Sequence, residues 1–196
     1  MKNVFFKPWV GENYANGFNG KKVLALGDSH YNQGDEVEDF VHNLVAHFIE
    51  YKNGDTRHMP WMNTYTKFGN VLLGEKADAK ATVDFWNSIV FYNYVQKSQA
   101  RHSKAPSDEE YNNSHIAFVE VLKEYQPNLI IVWGWRLWSR IAKYGIEADF
   151  KILENRVEKF YFFDIKGKKI PACGIPHPRV ISKDWTLYLH ESIKIA

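Results

Sequence analysis

The stretch KKVLALGDSHYNQGDE, residues 21–36, decides the expected fold of this chain. The apolar run over Lys21–Gly27 is short and ends in glycine, which is typical of a strand buried in a parallel sheet. A polar loop follows, and apolar residues then recur at helical spacing until a predicted helix end near Asn53-Gly54. A strand, a loop and a helix in this order predict a right-handed crossover to a parallel neighbouring strand.

Three further apolar runs predict three more strands. They cover Ser88–Val95, Asn128–Gly134 and Ile170–Ile175. Because helical segments separate the runs, we expect an α/β fold, a three-layer α/β/α sandwich with a central, mostly parallel four-stranded sheet. No repeat or linker divides residues 1–196, so one domain is expected.

The helices and turns between these strands carry their own signals. Ser107 followed by Glu110 forms a capping box, which predicts a helix over Asp108–Tyr125. Further helices are expected over Asp78–Trp86, over Trp135–Gly145 and after a cap at Ser182. Thr56–Lys76 is expected to be a long irregular loop with some helical content, and Lys166-Gly167-Lys168 a hairpin turn.

Composition excludes several classes of protein. The chain has 196 residues and one cysteine, Cys173, which excludes an internal disulfide framework and a Cys-rich zinc or iron–sulfur site. The net charge is only +2, so a DNA-binding face has to come from local clustering of cations. The N-terminus lacks a secretory signal pattern, and no apolar run has the length of a membrane span. We expect a cytoplasmic protein without a membrane partner.

The carboxyl ends of the predicted strands deliver the residues that chemistry needs. In open α/β sheets, ligands bind at this edge. The polar and aromatic residues found there are Asp28-Ser29-His30-Tyr31, Asn93, Trp133-Gly134-Trp135 and His177-Pro178-Arg179. None of them is needed to complete a strand, and we expect them to converge.

Residue chemistry allows two interpretations of the charged members of this set. Prolines on both sides hold His177 rigid, so that its imidazole can donate to an oxyanion or stabilise charge in a breaking bond. Gly27 is expected to permit a sharp turn, after which Asp28 can orient a water or support a developing cation. Alternatively, His177 caps a carbonyl in a surface turn, and Asp28 caps a helix or a turn.

Tyr31 and Asn93 have the shapes that a planar ligand requires. Tyr31 can form the wall of a pocket against a planar ring. Asn93 lies in an otherwise apolar strand, and its amide must find partners. A nucleobase edge supplies them by bidentate pairing, and neighbouring backbone groups at a bulge are the alternative.

These residues, in this order, resemble the uracil-DNA glycosylase superfamily, from about Lys21 to Trp185. In that family the first strand ends in Gly-Gln-Asp-Pro-Tyr-His or Gly-Glu-Ala-Pro-Gly, and this chain has Gly-Asp-Ser-His-Tyr-Asn at residues 27–32. The segments FYNYVQKSQARHSK and IIVWGWRLWSRI resemble the family's base-reading strand and its Trp-Gly strand. His177-Pro178-Arg179 is similar to the final His-Pro-Ser loop.

The resemblance implies a monofunctional DNA glycosylase that flips a base and hydrolyses its N-glycosidic bond. Alignment to the family patterns puts the catalytic carboxylate at Asp28, with Ser29 as the weaker option. His177 would bind the departing base as an anion. The residues that would contact the flipped base are Tyr31, Asn93 and His30.

The resemblance also implies a DNA partner, single- or double-stranded, and no cofactor or metal. The cations expected to hold phosphates are Arg179, Lys97, Arg101 and Lys104. Val180 and Ile181 either fill the vacated base stack or begin the packing of the last helix. A monomer is expected. The base, whether uracil, damaged or modified, stays open, although Tyr31 by resemblance would exclude a 5-methyl group.

Two other functions fit part of the pattern. VLALGDSH resembles the first block of GDSL-type esterases, with Ser29 as the nucleophile. That chemistry usually places an Asp three residues before its His, whereas Asp184 and His190 are six residues apart. The other alternative is a non-catalytic nucleic-acid-binding module of the same fold.

Overall fold

In the computed structural model of the chain, residues 1–31, 36–74, 77–100, 104–153 and 156–196 are described, with the side chains of 151–153, 156 and 157 left aside. The strands are β1 (Trp9–Val10), β2 (Val23–Gly27), β3 (Val90–Asn93), β4 (Leu129–Trp133), β5 (Ile146–Leu153), β6 (Arg156–Ile165) and β7 (Lys168–Ile175). The helices are α1 (Phe40–Asn53), α2 (Met62–Leu73), α3 (Ala79–Trp86), α4 (Asp108–Tyr125), α5 (Trp135–Ile141) and α6 (Trp185–Ile195). A short 3-10 turn, Ala142–Tyr144, extends α5.

The strands form one mixed sheet in the order β1-β3-β2-β4-β7-β6-β5. The central strands β3, β2, β4 and β7 are parallel, as predicted. The prediction of four strands was wrong, because β1, β5 and β6 extend the sheet with antiparallel pairing. The hairpin predicted at Lys166-Gly167 is confirmed, since both residues have positive φ and join β6 to β7.

Helices pack on both faces of the sheet because the central strands are apolar on both sides. Val23 and Ala25 of β2 lie in one core cluster with residues of α1, α2, α3 and α6. Leu24 and Leu26 point the other way and lie in a second cluster with residues of α4 and α5. The period-two alternation of strand side chains therefore divides the core into two layers.

Thr56–Lys76, predicted to be a long loop with some helical content, contains the 12-residue helix α2, so the segment is more regular than predicted. Its buried residues Tyr65, Phe68 and Leu72 recur at helical spacing and pack against the sheet-facing core. Thr, Asn and Gly in MNTYTKFGNVLL have weak helix propensity, which conceals the pattern in the sequence. Burial of the aromatic face supplies the missing stability.

Predictions about helix ends had mixed outcomes. The α4 capping box is confirmed, with Glu110 N donating to Ser107 Oγ at 3.2 Å and Ser107 N donating to Glu110 Oε2 at 2.7 Å. The predicted cap at Ser182 was wrong. Its hydroxyl donates to Asp184 Oδ2 at 3.1 Å, and α6 begins at Trp185 without a side-chain cap.

The four central strands end at one edge, which we call the carboxyl edge. The register pairs Gly27 with Asn93, Leu26 with Val132, and Trp133 with Ile175. The loops after β2, β3, β4 and β7 therefore start side by side. Among the described residues, no helix combines the length and the apolar character that crossing a membrane demands.

Candidate functional site

Asp28, directly after β2, is the most firmly held polar residue of the carboxyl edge. Tyr111 of α4 donates its hydroxyl to Asp28 Oδ1 at 2.7 Å, and Arg136 of α5 donates Nε to Asp28 Oδ2 at 2.6 Å. The Asp28 side chain is only 11% exposed. Burial, and then the Asp28 charge, raise the pKa of Tyr111, so the phenol stays protonated and donates. A carboxylate has about four acceptor sites, so these two contacts leave both oxygens with unused acceptor capacity.

Asn93, at the end of β3, lies directly against Gly27. The amide is buried, and a Cβ at Gly27 would lie 2.2 Å from Asn93 Oδ1. Gly27 does not have the positive φ of a glycine turn, so the predicted sharp turn is wrong. Glycine is needed at this position because any side chain would displace the Asn93 amide.

His177 follows β7 and is exposed at the same edge. Arg179 N donates to its Nδ1 at 3.1 Å, which assigns the proton of the neutral ring to Nε2. Partial desolvation lowers the pKa of His177; the Asp28 charge opposes this, while Arg179 and Arg136 add to it. The imidazole is therefore neutral near pH 7, with Nε2–H as its available donor. Asp28 is close enough for its charge to act on the ring.

Ser29 and His30 have different surroundings from Asp28. The Ser29 hydroxyl is buried and has no hydrogen-bond partner among the described residues. His30 packs between Phe6 and Phe40, with ring centroids at 4.1 and 4.6 Å. Its Nε2 lies 2.9 Å from Ser98 Oγ, and desolvation lowers its pKa to about 4. Both aromatic contacts cover the His30 ring, so the described structure places it in the core beneath the edge.

Tyr31 joins the Asp28 network. Its side chain is close enough to Arg136 to help raise the pKa of that guanidinium, and its backbone forms an isolated bridge with Gln99. Arg136 therefore lies near both the predicted carboxylate and the predicted pocket-wall residue.

The predicted phosphate contacts are spread more widely. Arg179 and Lys104 are exposed, and Lys97 is 68% exposed with its Nζ 3.4 Å from Glu110 Oε1. Arg101 lies outside the described residues. Val180 is 72% exposed, whereas Ile181 is buried and packs in the core. Of the two expected wedge residues, only Val180 is therefore free to meet a ligand.

Three further residues belong to the edge that the sequence did not single out. Arg136 follows the Trp-Gly-Trp strand end by one residue, and this adjacency was a usable signal. Lys67 of α2 donates Nζ to Arg179 O at 2.7 Å, but it lies in a segment that was expected to be mostly loop. Tyr111 lies inside α4, where nothing in the local sequence distinguishes it from a core tyrosine.

Two cavities of about 260 and 440 Å³ lie elsewhere on the molecule. The first is lined by residues such as Lys7, His42 and Tyr125, and the second by residues such as His47 and Trp61. Neither contains a grouping of carboxylate, amide and imidazole like that of the carboxyl edge. We therefore locate the candidate site by its convergent polar groups rather than by cavity size.

A scan of the chain against protein-family models finds no match, and a search of curated proteins finds none either. The family resemblance stays a prediction. Among the described residues, no three His, Cys, Asp or Glu side chains are grouped to hold a metal ion. The expectation that no metal or cofactor is needed likewise stays a prediction.

Proposed function

We propose that this protein is a monofunctional DNA glycosylase resembling the uracil-DNA glycosylase superfamily, with a three-layer α/β/α domain that binds one flipped base. The observation that carries the proposal is the grouping of Asp28, Asn93 and His177 at the ends of parallel strands. A carboxylate, an amide and a neutral imidazole can together stabilise the sugar cation, pair with the base edge and donate to the departing base. The proposed product is an abasic site.

The first requirement of the reaction is a negative charge near the sugar. Cleavage of the N-glycosidic bond develops positive charge on the sugar, and Asp28 would stabilise that charge or orient the attacking water. The hydrogen bonds from Tyr111 and Arg136 hold the carboxylate in one orientation. This preorganisation supports the role of Asp28 because the carboxylate need not reorganise as the bond breaks.

The second requirement is a donor to the departing base, which leaves with the electron pair of the broken bond. His177 would donate Nε2–H to a carbonyl oxygen of that base. The Arg179 backbone N–H supports this role because it occupies Nδ1. A neutral donor stabilises the anion without a preceding protonation step.

The third requirement is recognition of the base. Asn93 would pair with the base edge, since an amide offers a donor and an acceptor side by side. Its burial and its contact with Gly27 restrict its position. Tyr31, near Arg136, would form a wall of the pocket.

The geometry does not support the esterase alternative. An esterase nucleophile has to be accessible and hydrogen-bonded to a base. The Ser29 hydroxyl is buried and has no partner among the described residues. The burial of the Ser29 hydroxyl does not count against the non-catalytic binding module. The experiment below distinguishes that module from a glycosylase.

The test uses labelled single- and double-stranded oligonucleotides that each carry one uracil, hypoxanthine or modified cytosine. The purified protein is incubated with them without added metal, and alkali then converts abasic sites to strand breaks. Asp28→Asn and His177→Ala are compared with the matched controls Asp149→Asn and His58→Ala, which alter exposed residues outside the site.

Breaks that appear only after alkali, and are lost in both site variants but not in the controls, are the expected result. DNA binding without abasic sites on any substrate would assign the protein as a binding module. Ester hydrolysis that depends on Ser29, without action on DNA, would assign it as an esterase.

A further inference from the structure

Two tryptophans form an aromatic pair on the surface beside the candidate site. Trp135 begins α5 and Trp185 begins α6, and their ring centroids lie 5.8 Å apart with an interplanar angle of 57°. Trp135 is 48% exposed, which is unusual for so large an apolar side chain. Trp185 also contacts Tyr188 edge-on at 5.1 Å, which fixes one side of the pair.

The pair is anchored to the same strands as the site. A Cβ at Gly174 of β7 would lie 3.0 Å from the Trp135 ring, so the indole packs closely over that strand. Gly134, the residue before Trp135, donates its N–H to Ile175 O at 2.9 Å. A Cβ at Gly134 would lie 3.7 Å from the His177 Cβ. The aromatic pair and the His177 loop therefore share one rigid support.

Several cations neighbour the pair in the chain or belong to the adjoining His177 loop. Arg136 is next to Trp135 in the chain, Arg179 follows His177, and Lys67 is held to the Arg179 carbonyl. Lys183 is exposed two residues before Trp185, and Asp184 opposes it between them. Because Asp28 is already paired to Arg136, the net charge of these residues is positive. This combination of indole faces and cations matches bases and phosphates rather than an apolar protein surface.

We propose that Trp135 and Trp185 form a base-stacking platform for an unpaired nucleotide, and that the preferred substrate is single-stranded DNA. In a duplex, neighbouring base pairs cover both faces of each base, whereas an unpaired base exposes a face to an indole. The inference rests on the proposed function, because the platform lies beside the residues assigned to base excision. The stacked nucleotide is a neighbour of the flipped one.

The test measures binding of a short labelled oligothymidylate and of a duplex of the same length by fluorescence anisotropy. Trp135→Ala is expected to raise the Kd for the single strand about tenfold and the Kd for the duplex less than about twofold. Trp135→Phe should restore most of the affinity because it keeps an aromatic face. Ile116→Ala, at a residue of α4 that is 59% exposed, is the matched control.

A second measurement begins with the wild-type chain and needs only the conservative variant Trp135→Phe. Single-stranded DNA should quench the tryptophan fluorescence of the wild-type chain, and Trp135→Phe should remove part of that quenching. Equal losses of single-strand and duplex affinity in Trp135→Ala, or no loss of either, would overturn the proposal. So would a dimer that Trp135→Ala dissociates, because the pair would then be an interface between copies.

The outcomes separate this inference from the proposed function. Abasic sites formed at the wild-type rate by Trp135→Ala on single strands would overturn the platform and leave the glycosylase intact. Tryptophan-dependent binding of single strands without any abasic site would sustain the platform and overturn the glycosylase. A wild-type chain that binds no DNA would overturn both.

Discussion

The loops after β2 and β7 meet at the same edge of the sheet but are built in opposite ways. The β2 loop is held from several sides: Tyr111 and Arg136 bond Asp28, the Ser29 hydroxyl is buried, and His30 packs in the core. The β7 loop is open. His177 and Arg179 are exposed, and Val180 is 72% exposed.

This difference assigns different tasks to the two loops. A group that stabilises charge in a transition state works best when its position is fixed before the substrate arrives, and Asp28 meets that condition. A group that contacts DNA first must be exposed, and the β7 loop fulfils this second condition.

The largest effect is expected for Asp28→Asn. If the β2 loop carries the chemistry, the variant loses about 10³-fold in kcat/KM while its Kd for DNA changes by less than about threefold. Single-turnover excision and anisotropy measure the two quantities. Asp149→Asn should leave both unchanged. Retained activity in Asp28→Asn would remove the carboxylate from the mechanism.

The next effect concerns stability and tests how tightly the β2 loop is packed. Desolvation lowers the pKa of His30 from 6.5 to about 4, so the neutral ring is favoured in the folded state. The free energy that the neutral ring contributes to folding is fully present above 6.5, the pKa of His30 in the unfolded chain. It is lost as the pH falls toward about 4, the pKa of His30 in the folded protein. The free energy of unfolding should therefore drop by about 3 kcal/mol between those two pKa values.

Urea denaturation at several pH values measures that drop. Over the same pH range, the free energy of unfolding of His30→Gln should fall by less than that of the wild type. The difference should be most of the expected drop of about 3 kcal/mol, because the glutamine side chain does not titrate. His58→Gln, at an exposed histidine, is the control. An unchanged pH dependence in His30→Gln would mean that this ring is not desolvated in the folded protein.

The β7 loop provides the third prediction. His177→Ala should lose about 10²-fold in kcat, since one preorganised donor to the departing base is removed. His177→Gln should recover part of the rate because it retains a donor. Single-turnover rates of the three proteins make the comparison. Equal rates for His177→Ala and wild type would assign the loop to binding alone.

The pH dependence of kcat tests the same role of His177. Protonation of His177 would place a second N–H at Nδ1, facing the Arg179 N–H that it now accepts. Because the pKa of His177 is lowered, mainly by desolvation, the acid limb of kcat should lie below the ordinary histidine pKa of 6.5. The limb should disappear in His177→Gln.

The smallest effect is expected for Tyr111→Phe. Removing its hydrogen bond to Asp28 should cost about 1 kcal/mol of unfolding free energy and up to about tenfold in kcat. Tyr161→Phe removes a comparable phenol–carboxylate hydrogen bond, to Glu147 at 3.2 Å on the antiparallel part of the sheet, and should not affect kcat. An equal loss of kcat in both variants would show a general effect on the fold rather than positioning of Asp28.

The central strands and α4 could be predicted because their signals are local. A short run of apolar residues that ends in glycine, such as Val23–Gly27, is typical of a strand buried in a sheet, and the Ser107–Glu110 box bonds the first turn of its own helix. By contrast, the full extent of α2 was missed because its stability comes from burying Tyr65 and Phe68 against distant parts of the chain. The strand count was wrong for a similar reason: β1 has only two residues and depends on β3.

The sequence by itself determined the parallel strands and the polar residues at their ends, because hydrophobic periodicity and turn chemistry act over a few neighbouring residues. Only the tertiary structure decided which of those polar residues face solvent. Adjacent residues of one loop diverge, with Asp28 held at the edge by α4 and α5 and His30 enclosed by Phe6 and Phe40. Such contacts join residues far apart in the chain, and packing rather than local pattern selects them.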